Sequence, residues 1–401
     1  MAHPVRTAAE KIQPWLVETR RRIHMNPEMA FEEVETSGLV AESLAEWGIA
    51  VKTGVARTGV IGLLDTGRPG PTLGIRADMD ALPIQEVRET PYKSRRVGVM
   101  HACGHDAHTT MLLGAARVLA ENPALLEGAG GRVKFLFQPG EEGRAGGRLM
   151  VEEGALDDPR VDLVIAGHVY PAMASGTIGT HTGPTMGSGD KFFVTLRGVS
   201  SHAAYPHNSR DPILAAGHII TALQSIVARN VNPFDSAVVS VTQMEAGVAI
   251  NIVPEEVRLS GTIRTIHPEV REMVKTRVAD TIRGIASAFG VEAEVDLQEG
   301  YPVLMNHGGA TALIEKVGGE ILGEGNVLPA PLSLGSEDFA FMAKQRPAAM
   351  FRLGIRNEKA GIVYGLHSNN FDVDEDVLQL GVSIFVQAVR EFLANPEPYA
   401  N

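Results

Sequence analysis

Thr109-Thr-Met-Leu-Leu-Gly-Ala-Ala-Arg-Val-Leu119 reads as a strong helix. Arg132-Val-Lys-Phe-Leu-Phe137 and Val161-Asp-Leu-Val-Ile-Ala166 follow it, two short apolar runs of the kind that form buried strands. Upstream, Gly59–Leu64 and Thr72–Ile75 are similar runs bounded by Gly or Pro. Leu39–Trp47 has the apolar spacing of an amphipathic helix, with Gly48 where a C-terminal cap sits. Strands that are apolar throughout and alternate with helices define an α/β domain, a mostly parallel sheet covered by helices on both faces.

Working outward, the texture changes near Gly187. Lys191–Leu196, Ala237–Gln243, Val257–Thr265 and Val291–Leu297 read as strands, Pro212–Arg229 as a long helix. A second helix starts after His267, with Pro268 in its first turn, and runs to about Phe289. Strand–helix–strand–strand–helix–strand is the order of a ferredoxin-like α+β unit. After Tyr301-Pro302 helices and strands alternate again, which predicts that this unit is inserted into the first domain. The expected division is 1–186 with 302–401 for the outer domain and 187–301 for the insert. A chain of 401 residues is long enough to need two cores.

The charge balance narrows the function. Asp plus Glu outnumber Lys plus Arg by 48 to 36, a formal charge of -12. A phosphate-tracking nucleic-acid binder is therefore not expected. No basic amphipathic stretch points to an anionic membrane surface, and no apolar run reads as long enough to span a bilayer. The N-terminal residues lack the apolar core of a signal peptide. Cys103 is the only cysteine, so no intrachain disulfide forms and a reducing compartment, the cytoplasm, is expected.

Residues with metal-binding chemistry cluster at predicted strand ends. Cys103 and His105 lie in Met100-His-Ala-Cys-Gly-His-Asp-Ala-His108, and Glu141 and Glu142 in Gln138-Pro-Gly-Glu-Glu-Gly143. His168 comes after the apolar run ending at Ala166, and His367 after the short Ile362–Tyr364. Open α/β sheets collect ligands outside the carboxyl ends of their strands. Thiolate, imidazole and carboxylate together suit a borderline-soft divalent ion. Alone, each histidine could be a hydrogen-bonded structural ring, Cys103 a small buried apolar group and the glutamates a solvated loop. Their joint placement, with a glycine close to each cluster, favours a metal centre.

The chain resembles the aminoacylase and hippurate-hydrolase branch of the dinuclear metallopeptidases, which includes plant auxin-conjugate amidohydrolases. Carriers of the resemblance are Arg76-Ala-Asp-Met-Asp-Ala-Leu-Pro83, the Met100–His108 block, Phe137–Gly143 and Gly198-Val-Ser-Ser-His-Ala203. Asn251-Ile-Val-Pro254, Gly261-Thr-Ile-Arg-Thr265, Ser333-Leu-Gly-Ser-Glu-Asp-Phe339 and His367-Ser368 extend it through nearly the whole chain. The resemblance implies that Cys103, His105, Glu142, His168 and His367 bind two divalent ions. Manganese or zinc is expected, with cobalt or nickel as alternatives, and Cys103 stands where related peptidases have a bridging carboxylate. It further implies that Glu141 is a general base and Asp80 a support for a ligand. The insert becomes a lid and dimerisation domain, whose His202 reaches the substrate carbonyl of the other subunit while Asn251 and Arg264 hold the substrate. Asp78 has either a supporting role or a local turn-capping one, and His101 and His108 stay outside the ligand set.

The function this implies is hydrolysis of the amide bond of a small N-acyl amino acid by a homodimer or higher homo-oligomer. A guanidinium fork matches a carboxylate in bidentate geometry, which makes Arg264 the natural anchor for a free α-carboxylate. A dipeptidase or aminopeptidase on the same scaffold is the alternative within enzymes. A free substrate amine would call for an extra acidic group near the metals, and the motifs offer none. A non-catalytic metal-binding homologue is the other alternative, and it would have no use for Glu141. The Gly140–Gly147 loop lacks the lysine and the glycine spacing of a nucleotide cradle.

Overall fold

The computed structural model describes residues 3–400. It divides into two compact units. One runs up to Gly183, takes in Met305–Pro331 and resumes at Asp338; the other is Pro184–Leu304 with Leu332–Glu337.

The outer unit is built on an eight-stranded sheet in the spatial order Ala50–Val55, Gly59–Asp65, Arg132–Gln138, Thr72–Asp78, Leu163–Ala174, Ala348–Arg356, Ile178–Thr180 and Val327–Pro329. The central four of these, from Arg132–Gln138 to Ala348–Arg356, run parallel, and antiparallel pairings occur toward the edges. Thr72–Asp78 is buried at every position, as a strand covered on both faces must be. Alternate residues such as Leu73 and Ile75 join the apolar core with the helices His105–Glu121 and Leu378–Ala394. Arg76 and Asp78 alternate with them and carry charge into the interior.

The inserted unit has the antiparallel order Ala237–Ala246, Glu256–Thr265, Gly189–Arg197, Glu292–Tyr301. With its two crossing helices this is the ferredoxin-like topology expected. Pro212–Asn230 starts at a built cap: Asp211 accepts the N–H groups of Ile213 and Leu214 at 2.8 and 3.2 Å, and Pro212 opens the first turn. It and Pro268–Ala288 bury Ala215, Ile219, Leu223, Val274, Val278 and Ile282 against the sheet.

Some expectations need correction. Leu332–Glu337, expected in the outer domain, belongs with the insert, because the Gly187 N–H donates to the carbonyls of Ser333 and Gly335 at 2.8 and 2.9 Å. Ile362–Tyr364 is not a strand; Ile362 makes an isolated bridge to Asn357. His168 lies inside the strand Leu163–Ala174, not after it. Two helices, Pro212–Asn230 and Glu375–Ala394, are in fact long and apolar enough to cross a bilayer by length and composition. Glu375–Ala394 is mostly buried in the outer core, whereas Pro212–Asn230 buries one face on the core of the insert and leaves Ile213 and Leu214 exposed.

Candidate metal centre

Four backbone devices bring the ligand candidates of the outer unit together. First, Gly104 takes the left-handed conformation (φ 86°) just before the helix His105–Glu121. A Cβ there would lie 2.3 Å from Val169 Cγ2, so only glycine lets the Cys103–His105 turn press against the strand bearing His168. Second, the turn after Arg132–Gln138 is held by carboxylates: Glu33 accepts Gly140 N–H at 2.9 Å. Third, Asp80 accepts Glu141 N–H on one oxygen and Glu142 N–H on the other, both at 2.9 Å. Fourth, His367 adopts a left-handed backbone (φ 62°) in a turn, and its N–H donates to Ala102 O at 2.8 Å, beside Cys103.

Among the donor groups that these devices bring together, two overlap at Cys103. Cys103, His105 and His168 offer ligand atoms all within 4.8 Å of one another, and so do Cys103, Glu142 and His367. Cys103 belongs to both. Its Sγ lies 3.6 Å from His168 Nε2. Bonds of about 2.3 Å to sulfur and 2.0–2.1 Å to nitrogen at a tetrahedral angle place two ligands of one zinc ion roughly 3.6 Å apart. His367 Nε2 and Glu142 Oε1 are 3.3 Å apart without hydrogen-bond alignment, near the roughly 3.4 Å that nitrogen and oxygen ligands of one ion would show. His105 is 1% exposed, yet among the described residues neither ring nitrogen has a hydrogen-bond partner; Nδ1 lies 3.4 Å from Asp80 and Nε2 3.6 Å from Asp78. A buried polar ring without partners is costly, and a cation among these donors supplies what is missing. The residues fit a divalent metal pair.

The electrostatics point the same way. Burial pushes the Cys103 thiol up to about 12, so the thiolate needs a cation beside it. Burial opposes charge on His105, but Asp78, Cys103 and Asp80 outweigh it and raise its pKa well above the usual value. The carboxylates beside this buried imidazole thus favour positive charge at its position. His168 behaves oppositely. Burial, with His108 nearby, holds it well below the ordinary histidine range, and its Nδ1–H donates to Val169 O at 2.7 Å. A neutral ring with its Nε2 lone pair turned toward Cys103 is ready to ligate.

Asp78, His105 and His108 form a further candidate group, but both nitrogens of His108 are taken, by Asp78 Oδ1 at 2.6 Å and the Val169 N–H at 2.9 Å. His101 is buried with both nitrogens unpartnered among the described residues, and burial draws it down to about 3. It belongs to neither metal group. Glu141 is buried beside Glu142, with one oxygen 3.4 Å from the Asp338 N–H. Asp338 also accepts from Arg76, Gln138 and Gly147. Asp338 lies within the Ser333–Phe339 motif without a mark of its own, and nothing local in the sequence marks Glu33.

In the inserted unit, His202 pairs with Ile252 across a two-residue ladder, and Ala203 N–H donates to Asn251 O at 2.9 Å, so His202 and Asn251 are close neighbours. Both are exposed. Arg264, on Glu256–Thr265, donates to Ser336 Oγ at 3.0 Å and has no ion pair among the described residues.

The family model described as Peptidase family M20/M25/M40 matches residues 74–391. Thermostable carboxypeptidase 2 of Saccharolobus solfataricus is 38% identical over 95% of this chain and 96% of its own. IAA-amino acid hydrolase ILR1-like 5 of Arabidopsis thaliana is 39% identical over 96% of this chain and 88% of its own. Among solved structures, the Bacillus subtilis YXEP protein, described as a dinuclear metal binding peptidase from the M20 family, superposes with a TM-score of 0.84. It is 33% identical, covering 96% of this chain and 99% of that one.

Proposed function

This chain belongs to the M20/M25/M40 peptidase family and is a metal-dependent hydrolase, and from that premise we propose that it hydrolyses the amide bond of N-acyl amino acids carrying a free α-carboxylate. The observation that carries the substrate class is Arg264: a half-buried guanidinium held, among the described residues, by one serine hydroxyl and no carboxylate. The names of the hydrolase and carboxypeptidase relatives agree with a substrate that ends in an amino acid.

In this reading Cys103, His105, Glu142, His168 and His367 hold two divalent ions, manganese or zinc. Bound there, the ions would supply a Lewis acid for the amide carbonyl and lower the pKa of water from about 15.7 toward about 7. Glu141 takes the proton of the attacking water and returns it to the departing nitrogen. Asp80, through the two amide N–H groups, keeps Glu141 and Glu142 in fixed relation, one to move a proton and the other to ligate. His202 donates to the carbonyl oxygen as it gains charge, a role worth about 2.7–4 kcal/mol in comparable oxyanion sites. Asn251 and Arg264 orient the carboxylate. The assembly is a homodimer, which the open edge strand Ala237–Ala246 with exposed Val238 and Met244 supports.

The test is a double comparison. Charge-assisted hydrogen bonds contribute about 1.5–3 kcal/mol, roughly ten- to a hundredfold in kcat/KM at about 1.4 kcal/mol per decade. Methyl esters of good N-acyl amino acids should lose that much, Arg264→Ala should lose it on the free acid, and the combination should lose little more. Additive losses would place the carboxylate elsewhere. Dipeptides hydrolysed better than acyl amino acids would favour the peptidase alternative.

A further inference from the structure

The ladder between Thr72–Asp78 and Leu163–Ala174 ends at the pair Arg76–Ala166. Beyond it, the Val169 N–H donates to His108 Nε2 at 2.9 Å. A peptide N–H can only donate, so Nε2 carries no proton and its lone pair is used. The ring's single proton then sits on Nδ1 and is given to Asp78 Oδ1 at 2.6 Å. Asp78 is itself fixed: Arg76 donates to its other oxygen at 2.7 Å, and Thr109 Oγ1 to its carbonyl at 2.8 Å. On the far side of the same residue, Val169 O accepts the His168 Nδ1–H at 2.7 Å. The chain of contacts is therefore Arg76, Asp78, His108, the backbone of Val169, then His168. Asp78 and His108 are at most 1% exposed.

We propose that Asp78 and His108 are a positioning pair: His108 is a neutral imidazole that grips the Val169 backbone and so aims His168 Nε2 at the Cys103 thiolate. The inference rests on the reading of His168 as a metal ligand. It also gives His108 a purpose that excludes ligation, although the ring stands within ligand distance of Asp78 and His105. Partners that orient a ligand in this way typically change metal affinity by about 10–100-fold when removed.

The test uses the full-length protein and zinc or cobalt as the probe. His108→Ala should weaken one of two zinc equivalents by about 10–100-fold in chelator competition, and should alter the thiolate-to-metal absorption of the cobalt form. His108→Gln, whose amide oxygen can still accept the Val169 N–H, should recover most of the affinity. Wild-type affinity in His108→Ala, or loss of an equivalent that His108→Gln does not recover, overturns the proposal. A measurement on the wild type needs no variant: nitrogen NMR of the histidine rings should read His108 as the Nδ1–H tautomer with and without zinc. A zinc-induced shift of His108 Nε2 would make it a ligand and refute the pair. His168→Ala separates the two readings, since unchanged zinc affinity there removes the ligand assignment itself.

Discussion

Replacing Asp80 by asparagine isolates the contact that keeps the two catalytic-loop glutamates in step. The carboxylate accepts one N–H on each oxygen at 2.9 Å and is 1% exposed. Asparagine keeps one acceptor oxygen and turns its amide NH2, a donor, toward the second N–H, so one buried donor is stranded. A hydrogen bond to a charged group contributes about 1.5–3 kcal/mol, and a stranded buried donor costs about 1–3 kcal/mol. Roughly 2 kcal/mol of the loop's preference for its working shape is then lost, about thirtyfold at 1.4 kcal/mol per decade. With Glu141 as base and Glu142 as ligand, as proposed, kcat/KM and zinc affinity should fall in parallel. The assay is steady-state hydrolysis of an N-acyl amino acid at saturating metal, beside chelator competition and urea unfolding of the metal-free protein. Wild-type kcat together with wild-type zinc affinity would refute the reasoning. A loss of stability alone would reduce Asp80 to a packing role.

Three more outcomes are expected. Glu141→Gln should keep two metal equivalents and lose about 10²–10⁴-fold in kcat, the usual worth of a positioned acid–base group; loss of metal would mean that the two glutamates have exchanged roles. Cys103→Ser should weaken both ions, because the thiolate belongs to both donor groups, and unchanged metal content by atomic absorption would return Cys103 to the core. Lys134, whose Nζ donates to Ala155 O and Pro159 O, has its ammonium drawn down to about 8 by burial, from an ordinary 10.5. Between those values the unfolded chain binds a proton that the folded one has released, so stability should rise with pH across that window; Lys134→Met should flatten the rise in chemical denaturation, and an unaltered slope would contradict it.

Local periodicity made the elements legible, and motif chemistry made the ligand types legible. The helix read from Thr109 begins at His105, since its first turn depends on the left-handed Gly104 packed against Val169, a residue far along the chain. The apolar run before His168 stops at Ala166, so the sequence places the histidine past a strand end. The strand continues as a partner of Ala348–Arg356, where Arg352 pairs with His168, and that neighbour is non-local. The apolar run Ile362–Tyr364 before His367 suggests a strand that the chain does not form; His367 is placed instead by a positive φ and one bond to Ala102. The double grip of Asp80 and the use of His108 on a backbone amide are three-dimensional facts, with no spacing rule that announces them.

The order of the candidate ligands along the chain has a consequence for biogenesis. Cys103, His105 and His168 are all translated before the inserted unit, whereas His367 follows it. One donor trio is therefore complete in the nascent chain while the other waits for the C-terminal part. The strand Leu163–Ala174 likewise waits for Ala348–Arg356, leaving an open sheet edge while the insert, continuous from Pro184 to Leu304, has every strand it needs. Long-range pairing of this kind slows folding and exposes unpaired edges. The insert should thus be the first unit to fold, and a metal captured early by the first trio would seed closure of the outer sheet around it.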